Sequence, residues 1–199
     1  AVETYERLKA AMRMYRVLKS QGKDTKNAEL DVAYTMGWLG HYVGDGAMPL
    51  HDSIHHDGWQ GENPKGYTTD PRVHGRFESQ FVDLIEAKET DIRDLVQPAK
   101  KLQDPFTAIL AHLDLAFTHV EAVYVLDAEG AYAKKDHAGA RSLVFERLSS
   151  AAGMLRDLTY TAWVESAATP SFDRDPAANP ISPKNPRYNP ATGSAPAAR

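Results

Sequence analysis

Two histidine–carboxylate pairs of equal spacing constrain this chain more than any other feature. His41 and Asp45 are four residues apart, and so are His74 and Glu78. A helix puts residues i and i+4 on one face, one turn apart. Each pair can therefore act as a unit if both segments are helical, and the two pairs can act together if those helices pack. His51 lies between them, six residues after Asp45 and directly after Pro49-Leu50. Imidazole and carboxylate are ligands that zinc accepts at four-coordinate sites. His51, His74 and Glu78 would form a three-ligand set with an open fourth position, the usual catalytic zinc arrangement. His41 and Asp45 would offer two donors to a second ion.

Composition narrows the chemistry further. There is no cysteine, so disulfides and thiolate ligands are excluded and any zinc is held by nitrogen and oxygen. The net charge of −4 provides no basic field for non-specific nucleic-acid binding. Bound zinc would supply positive charge locally, so a nuclease is still compatible with that balance. No apolar run reaches the ~20 residues of a membrane span, so no transmembrane segment is expected. The chain does not begin with Met and starts within a helical pattern, which reads as an upstream segment removed or left out.

The periodicity is helical throughout and no strand signal stands out. Tyr5, Leu8, Met12 and Tyr15 predict a helix over 2–20. A second is expected over 25–44, ended by Gly46 and Pro49. Gly37, Gly40 and Gly44 within it suggest close approach of another group to the backbone. Residues 52–70 read as a loop of functional length. Asp70-Pro71 and Asp104-Pro105 are helix starts, with Asp as N-cap and Pro at the first helical position. The first opens the helix carrying His74 and Glu78, and a short helical piece follows over 91–97. The second opens a helix whose apolar face is Phe106, Ile109, Leu110, Leu113, Phe117, Val120 and Tyr124, with Gly130 as its stop. A last helix spans 137–167, with Val144, Leu148, Ala151, Leu155, Leu158 and Ala162 inward and with Tyr160 and Trp163 in the core. Residues 169–199 hold seven of the twelve prolines and read as a disordered tail. The fold class is all-α, a multi-helix bundle over 1–168 with a metal site between helices.

The remaining histidines read differently. His112 and His119 suit packing or hydrogen bonding in the bundle, and His137 a helix start. His55 and His56 have no helical partner and read as exposed loop or substrate contacts. Asp52 and Asp57 are candidates to orient a ligand histidine. Trp59 and Tyr67 in the loop are candidate substrate-binding rings.

His41-x3-Asp45-x5-His51, with Pro-Leu before the last histidine, followed by His74-x3-Glu78, resembles the zinc-dependent phospholipase C and S1/P1 nuclease superfamily. The likeness covers roughly residues 1–168, and its sharp motifs cover 41–78. It implies up to three zinc ions, with Asp45 bridging two of them and acting as the catalytic carboxylate. The other ligands in that family come from the amino terminus and from upstream histidine and aspartate residues. This chain has no histidine before His41. The resemblance thus implies a missing amino-terminal segment as a partner, and weak or absent cleavage by these 199 residues alone. It implies phosphodiester hydrolysis by metal-activated hydroxide, on single-stranded nucleic acid or a phospholipid head group. The long gap from His51 to His74 looks nuclease-like, and Glu at 78 looks phospholipase-like. A secreted or periplasmic location follows by resemblance. The alternative class is a non-catalytic helical module in which zinc is structural.

Overall fold

Amphipathic helices form where the 3.6-residue pattern places them in the computed structural model, which describes residues 1–168 and 182–195. They are α1 (Val2–Ser20), α2 (Lys26–Asp45), α3 (Arg72–Gly75), α4 (Phe81–Leu84), α5 (Glu89–Ile92), α6 (Pro105–Phe117), α7 (Val120–Ala128) and α8 (Ala138–Glu165). A wider π turn, Arg76–Gln80, joins α3 to α4, so helical backbone runs unbroken from 72 to 84. No strand occurs among the described residues, and Asn189 and Ser194 form an isolated bridge. The fold class is all-α. The expected tail falls largely outside the described residues.

Two apolar cores lie side by side. Tyr5, Leu8 and Met12 of α1 meet Leu39 and Val43 of α2, Ile109 of α6 and Leu158 and Ala162 of α8. In the other, Leu50, Phe77 and Phe81 pack on Val123 and Tyr124 of α7, Tyr132, and Leu143 and Val144 of α8. The long α8 serves both, so α2 ends beside the helix that carries His74 and Glu78. Burying each such aromatic or leucine side chain stabilises the fold by roughly 1.5–3 kcal/mol.

Four sequence expectations are corrected. Phe106, Leu110 and Phe117 face solvent, with Phe106 55% exposed, while His112 is buried. The inward face of α6 is Ile109, His112 and Ala116. The helix is apolar nearly all round, so periodicity alone cannot choose its face. His112 decides it by donating from Nε2 to the Val43 carbonyl at 3.1 Å. The helix also breaks at Thr118–His119. Second, the apolar run the sequence search missed is Pro105–Ala128, which has the length and composition of a membrane span, a test that the core helix of a soluble protein also passes. It escapes a search for uninterrupted apolar runs because His112, Asp114, Thr118 and His119 punctuate it. Third, Tyr160 and Trp163 are partly exposed. Trp163 lies under the Arg16 guanidinium, 3.5 Å from its ring centroid, at the edge of α1 rather than in the interior. Fourth, of the three α2 glycines only Gly40 is closely approached. A Cβ there would meet Leu155 at 3.2 Å, whereas at Gly37 and Gly44 it would meet nothing within 4 Å.

Candidate metal centre

Helix α2 ends with Gly46 as its C-cap, at a point where no side chain would fit. A Cβ at Gly46 would lie 2.7 Å from Leu113 and 3.5 Å from the His112 ring. The chain then turns through Met48 into a short 3-10 turn, Pro49–Asp52. Pro49 starts that turn with its φ already set, the Met48 sulfur accepts the Leu50 N–H at 3.1 Å, and Leu50 is wholly buried. Pro49 and Leu50 thus pin the backbone that presents His51.

The loop after it is held as firmly. The Trp59 N–H donates to Thr68 O at 2.9 Å, and the Asn63 side chain clasps both main-chain groups of Tyr67. Tyr124 donates its hydroxyl to His55 O at 2.5 Å. Gly58, at φ +98°, passes Thr69 too closely for any Cβ. The outcome is delivery of His56 to the helix bearing His74. That helix starts at Arg72 with Pro71 at its boundary, one residue later than the sequence placed it, and the Asp70 carboxylate still accepts the Arg72 N–H at 3.0 Å. Arg76 holds the π turn to α7 through two bonds to Asp127, at 2.7 and 2.9 Å.

His51, His56 and His74 each bring one ring nitrogen within 4.8 Å of the others, and the three could hold a metal ion. Each has its Nδ1 against a main-chain carbonyl: His51 on Asp45 at 3.2 Å, His56 on Leu50 at 3.2 Å, and His74 on His56 at 3.3 Å. A carbonyl only accepts, so each Nδ1 carries a proton, which leaves Nε2 of His51 and His56 with its lone pair, while His74 Nε2 meets the Glu78 carboxylate at 2.7 Å, a contact that needs a proton or a cation between the two. Glu78 completes the group, with Oε2 at 2.7 Å from His74 Nε2 and 3.9 Å from His51 Nε2. Donors around a tetrahedral zinc with bonds of about 2.0–2.1 Å lie roughly 3.3 Å apart. The two observed separations bracket that value, and with the three imidazoles within 4.8 Å of one another these residues could hold a metal ion. The sequence pointed to His51, His74 and Glu78; His56 is the ligand candidate it placed elsewhere, as a loop contact. His56 carries no local signal, because its position depends on how the loop folds back.

His41 and Asp45 are differently placed. His41 Nε2 lies 3.4 Å from Asp45 Oδ2, and the side chains are 62% and 44% exposed. The other carboxylate oxygen, Oδ1, is 3.8 Å from His51 Nδ1. Asp45 thus stands between His41 and the histidine cluster. Asp57 sits 3.7 Å from both His56 Nε2 and His74 Nδ1. Burial and the neighbouring Asp114 push the Asp52 carboxyl up to about 6. His112 is held in the bundle as expected, and His137 accepts the Ala140 N–H at the start of α8.

Trp59 and Tyr67 are packed inside the loop. Trp59 stacks on His55 at 3.8 Å and abuts Tyr67 and Tyr124. Tyr67 is buried, and its hydroxyl donates to Glu121. Exposed rings lie instead on α2, where Tyr34 stacks on Trp38 and Trp38 meets Tyr42 edge-on. Trp38 and Tyr42 both lie about 6 Å from the His41 ring.

A cleft of about 340 Å³ opens beside these residues. His41, Asp45 and Glu78 line it with Met48, Phe77, Val82, Val144, Leu148 and Arg147. No family model, curated protein or solved structure matches this chain.

Proposed function

We propose that the chain is a zinc-dependent phosphodiester hydrolase of the S1/P1 nuclease kind, acting on single-stranded nucleic acid. One observation carries the reading: three imidazoles converge with their Nδ1 protons held by main-chain carbonyls, and Glu78 faces the Nε2 atoms of two of them. Fixed tautomers of this kind are typical of metal-ligating histidines. His51, His74 and Glu78 would hold the ion, which when bound supplies Lewis acidity toward a phosphoryl oxygen and acidifies water. Asp45, half-exposed at the cleft between His41 and His51, orients a donor group there and accepts its proton. Tyr34, Trp38 and Tyr42 offer exposed ring faces leading to His41, on which unpaired bases stack whatever their sequence.

Two observations favour other readings. The aliphatic walls Val82, Val144 and Leu148 suit a phospholipid as well, which is the phospholipase C-like alternative. His56 offers a fourth donor, and a closed four-ligand site is typical of structural zinc. One set of assays separates the three. Zinc-supplemented protein is given single-stranded DNA, RNA and phosphatidylcholine vesicles, with and without chelator. The expected outcome is about one tightly held zinc per chain, with slow nucleic-acid cleavage that chelation stops and that Asp45→Asn largely abolishes. Cleavage of the vesicles alone transfers the reading to the phospholipase. Zinc bound with no substrate cleaved supports the structural module. Absence of zinc uptake overturns all three.

A further inference from the structure

The cleft holds a charge that the metal ligands do not explain. Val144, Arg147, Leu148 and Ala151 project from one face of α8 toward Gly40, His41, Gly44 and Asp45 of α2. Arg147 is only 5% exposed, yet its Nε and Nη1 have no hydrogen-bond partner. Its Nη2 donates to Glu146 Oε1 at 2.9 Å, and that carboxylate is half in solvent and also lies 3.3 Å from His119 Nε2. Arginine cannot shed its proton in a protein, so the charge is permanent. Buried guanidinium groups with idle donors are rare, because each donor has given up water without replacement.

We infer that Arg147 is the anchor of an oxyanion subsite, which takes a phosphoryl oxygen of the substrate at the cleft wall opposite the metal ligands. The inference rests on the hydrolase reading for its substrate class and on Arg147 itself for the site. The carboxylates that share the cleft, Asp45 and Glu78, are turned to histidines at 2.7–3.9 Å. With zinc in place the Glu78 charge would be spent on the ion, and Arg147 keeps two N–H groups, on Nε and Nη1, that the Glu146 carboxylate does not satisfy. A planar guanidinium offers paired N–H groups that match two oxygens of a phosphate. A phosphate ester has further oxygens to turn toward the ligands across the cleft. The subsite would therefore hold the phosphoryl group in register before any bond breaks.

The test uses the full chain, zinc-loaded and metal-free, with inorganic phosphate as the probe and calorimetry as the readout. Arg147→Met keeps the length and removes the charge; Arg147→Lys keeps the charge and removes the fork. Phosphate should bind the zinc-loaded protein, about tenfold or more weakly in Arg147→Met, the scale expected for hydrogen bonds to a charged group. Arg147→Lys should fall between. Zinc content should be the same in all three, and the melting temperature of Arg147→Met should be unchanged or raised, because a buried guanidinium with two unmet donors and one half-exposed partner adds little stability. A purely structural arginine would instead lower it. Equal phosphate binding by wild type and Arg147→Met overturns the subsite while leaving the metal reading intact. Absence of phosphate binding to protein that does hold zinc also overturns it. Should the chain hold no zinc, the hydrolase reading fails, and phosphate binding by metal-free protein still decides: sensitivity to Arg147→Met supports the site, and insensitivity overturns it.

Discussion

The His74–Glu78 and His41–Asp45 pairs share one spacing and one residue chemistry, but the fold treats them differently. His74 is largely buried, its Nδ1 is tied to the His56 carbonyl, and two more imidazoles converge beside it. His41 stands in solvent near the end of α2, with Asp45 as its only ion-pair neighbour among the described residues. The i, i+4 spacing brings two donors together in both places. What separates them is whether other parts of the chain fix the tautomer and supply further donors. The first pair lies where the loop, the 3-10 turn and the π turn converge; the second lies on a single helix facing an open cleft. One therefore reads as a formed metal position and the other as half of one.

The largest effect should come from the centre of the formed position. His74→Ala removes the donor closest to Glu78 and should abolish tight zinc uptake, measured by elemental analysis after gel filtration. Retention of one zinc would mean that His51, His56 and Glu78 suffice, and His74 would lose its privileged place. A smaller loss should follow from Arg76→Ala, which frees the π turn from α7 without touching a ligand. The ion pair with Asp127 is partly buried, with side chains 26% and 11% exposed. Breaking it should cost about 2 kcal/mol of stability, between the surface and buried extremes. Zinc affinity should fall about tenfold as Glu78 loosens, in the range seen when groups supporting ligands are removed. A melting shift with unchanged zinc affinity would show that the π turn is held by its core packing alone.

How much of this was legible depends on how local each signal is. Helices α1 and α2 follow from Tyr5, Leu8, Met12 and from Gly46, because amphipathic period and helix stop are local properties. His51 was legible through Pro49-Leu50, a turn fixed by one residue and anchored by the next. The inward face of α6 was not, since Phe106, Leu110 and Ile109 are equally apolar and a tertiary bond from His112 to Val43 settles the choice. His56 was hidden for a related reason: its place depends on Tyr124, Asn63 and Gly58 folding the loop back. No local signal in the sequence marks Arg147, whose burial comes from the packing around α8.

A pH experiment sharpens the comparison from the other side, through a histidine that is buried but ligates nothing. Burial holds His112 below its ordinary value of 6.5. The unfolded chain therefore takes up this proton at higher pH than the folded one, and stability present above pH 6.5 is lost as pH falls below it. His112→Ala should cost about 1–3 kcal/mol at pH 8, the penalty for a buried carbonyl losing its donor. That deficit relative to wild type should shrink as the pH drops below 6.5. Zinc uptake should be unaffected at pH 8. Loss of zinc in this variant would mean that the Val43 carbonyl contact controls the end of α2 closely enough to reach the metal ligands.

The smallest effect on metal content should come from His41→Ala, and it is the variant that most directly tests the contrast. His41 is exposed and meets the acid of Asp45 at 3.4 Å, so removing it should change stability by less than about 0.5 kcal/mol. The tightly held zinc should stay near one per chain, because none of His51, His56, His74 or Glu78 relies on His41 for a hydrogen bond. Any cleavage should nevertheless drop, since His41 and Asp45 line the cleft that a substrate would enter. Unchanged zinc with reduced turnover would place the pair in the chemistry and outside the tight site. If instead the bound zinc is lost, then Asp45 and His41 belong to the primary coordination group. Exposure and the absence of a carbonyl clamp would in that case be poor guides to which histidine–carboxylate pair holds the ion.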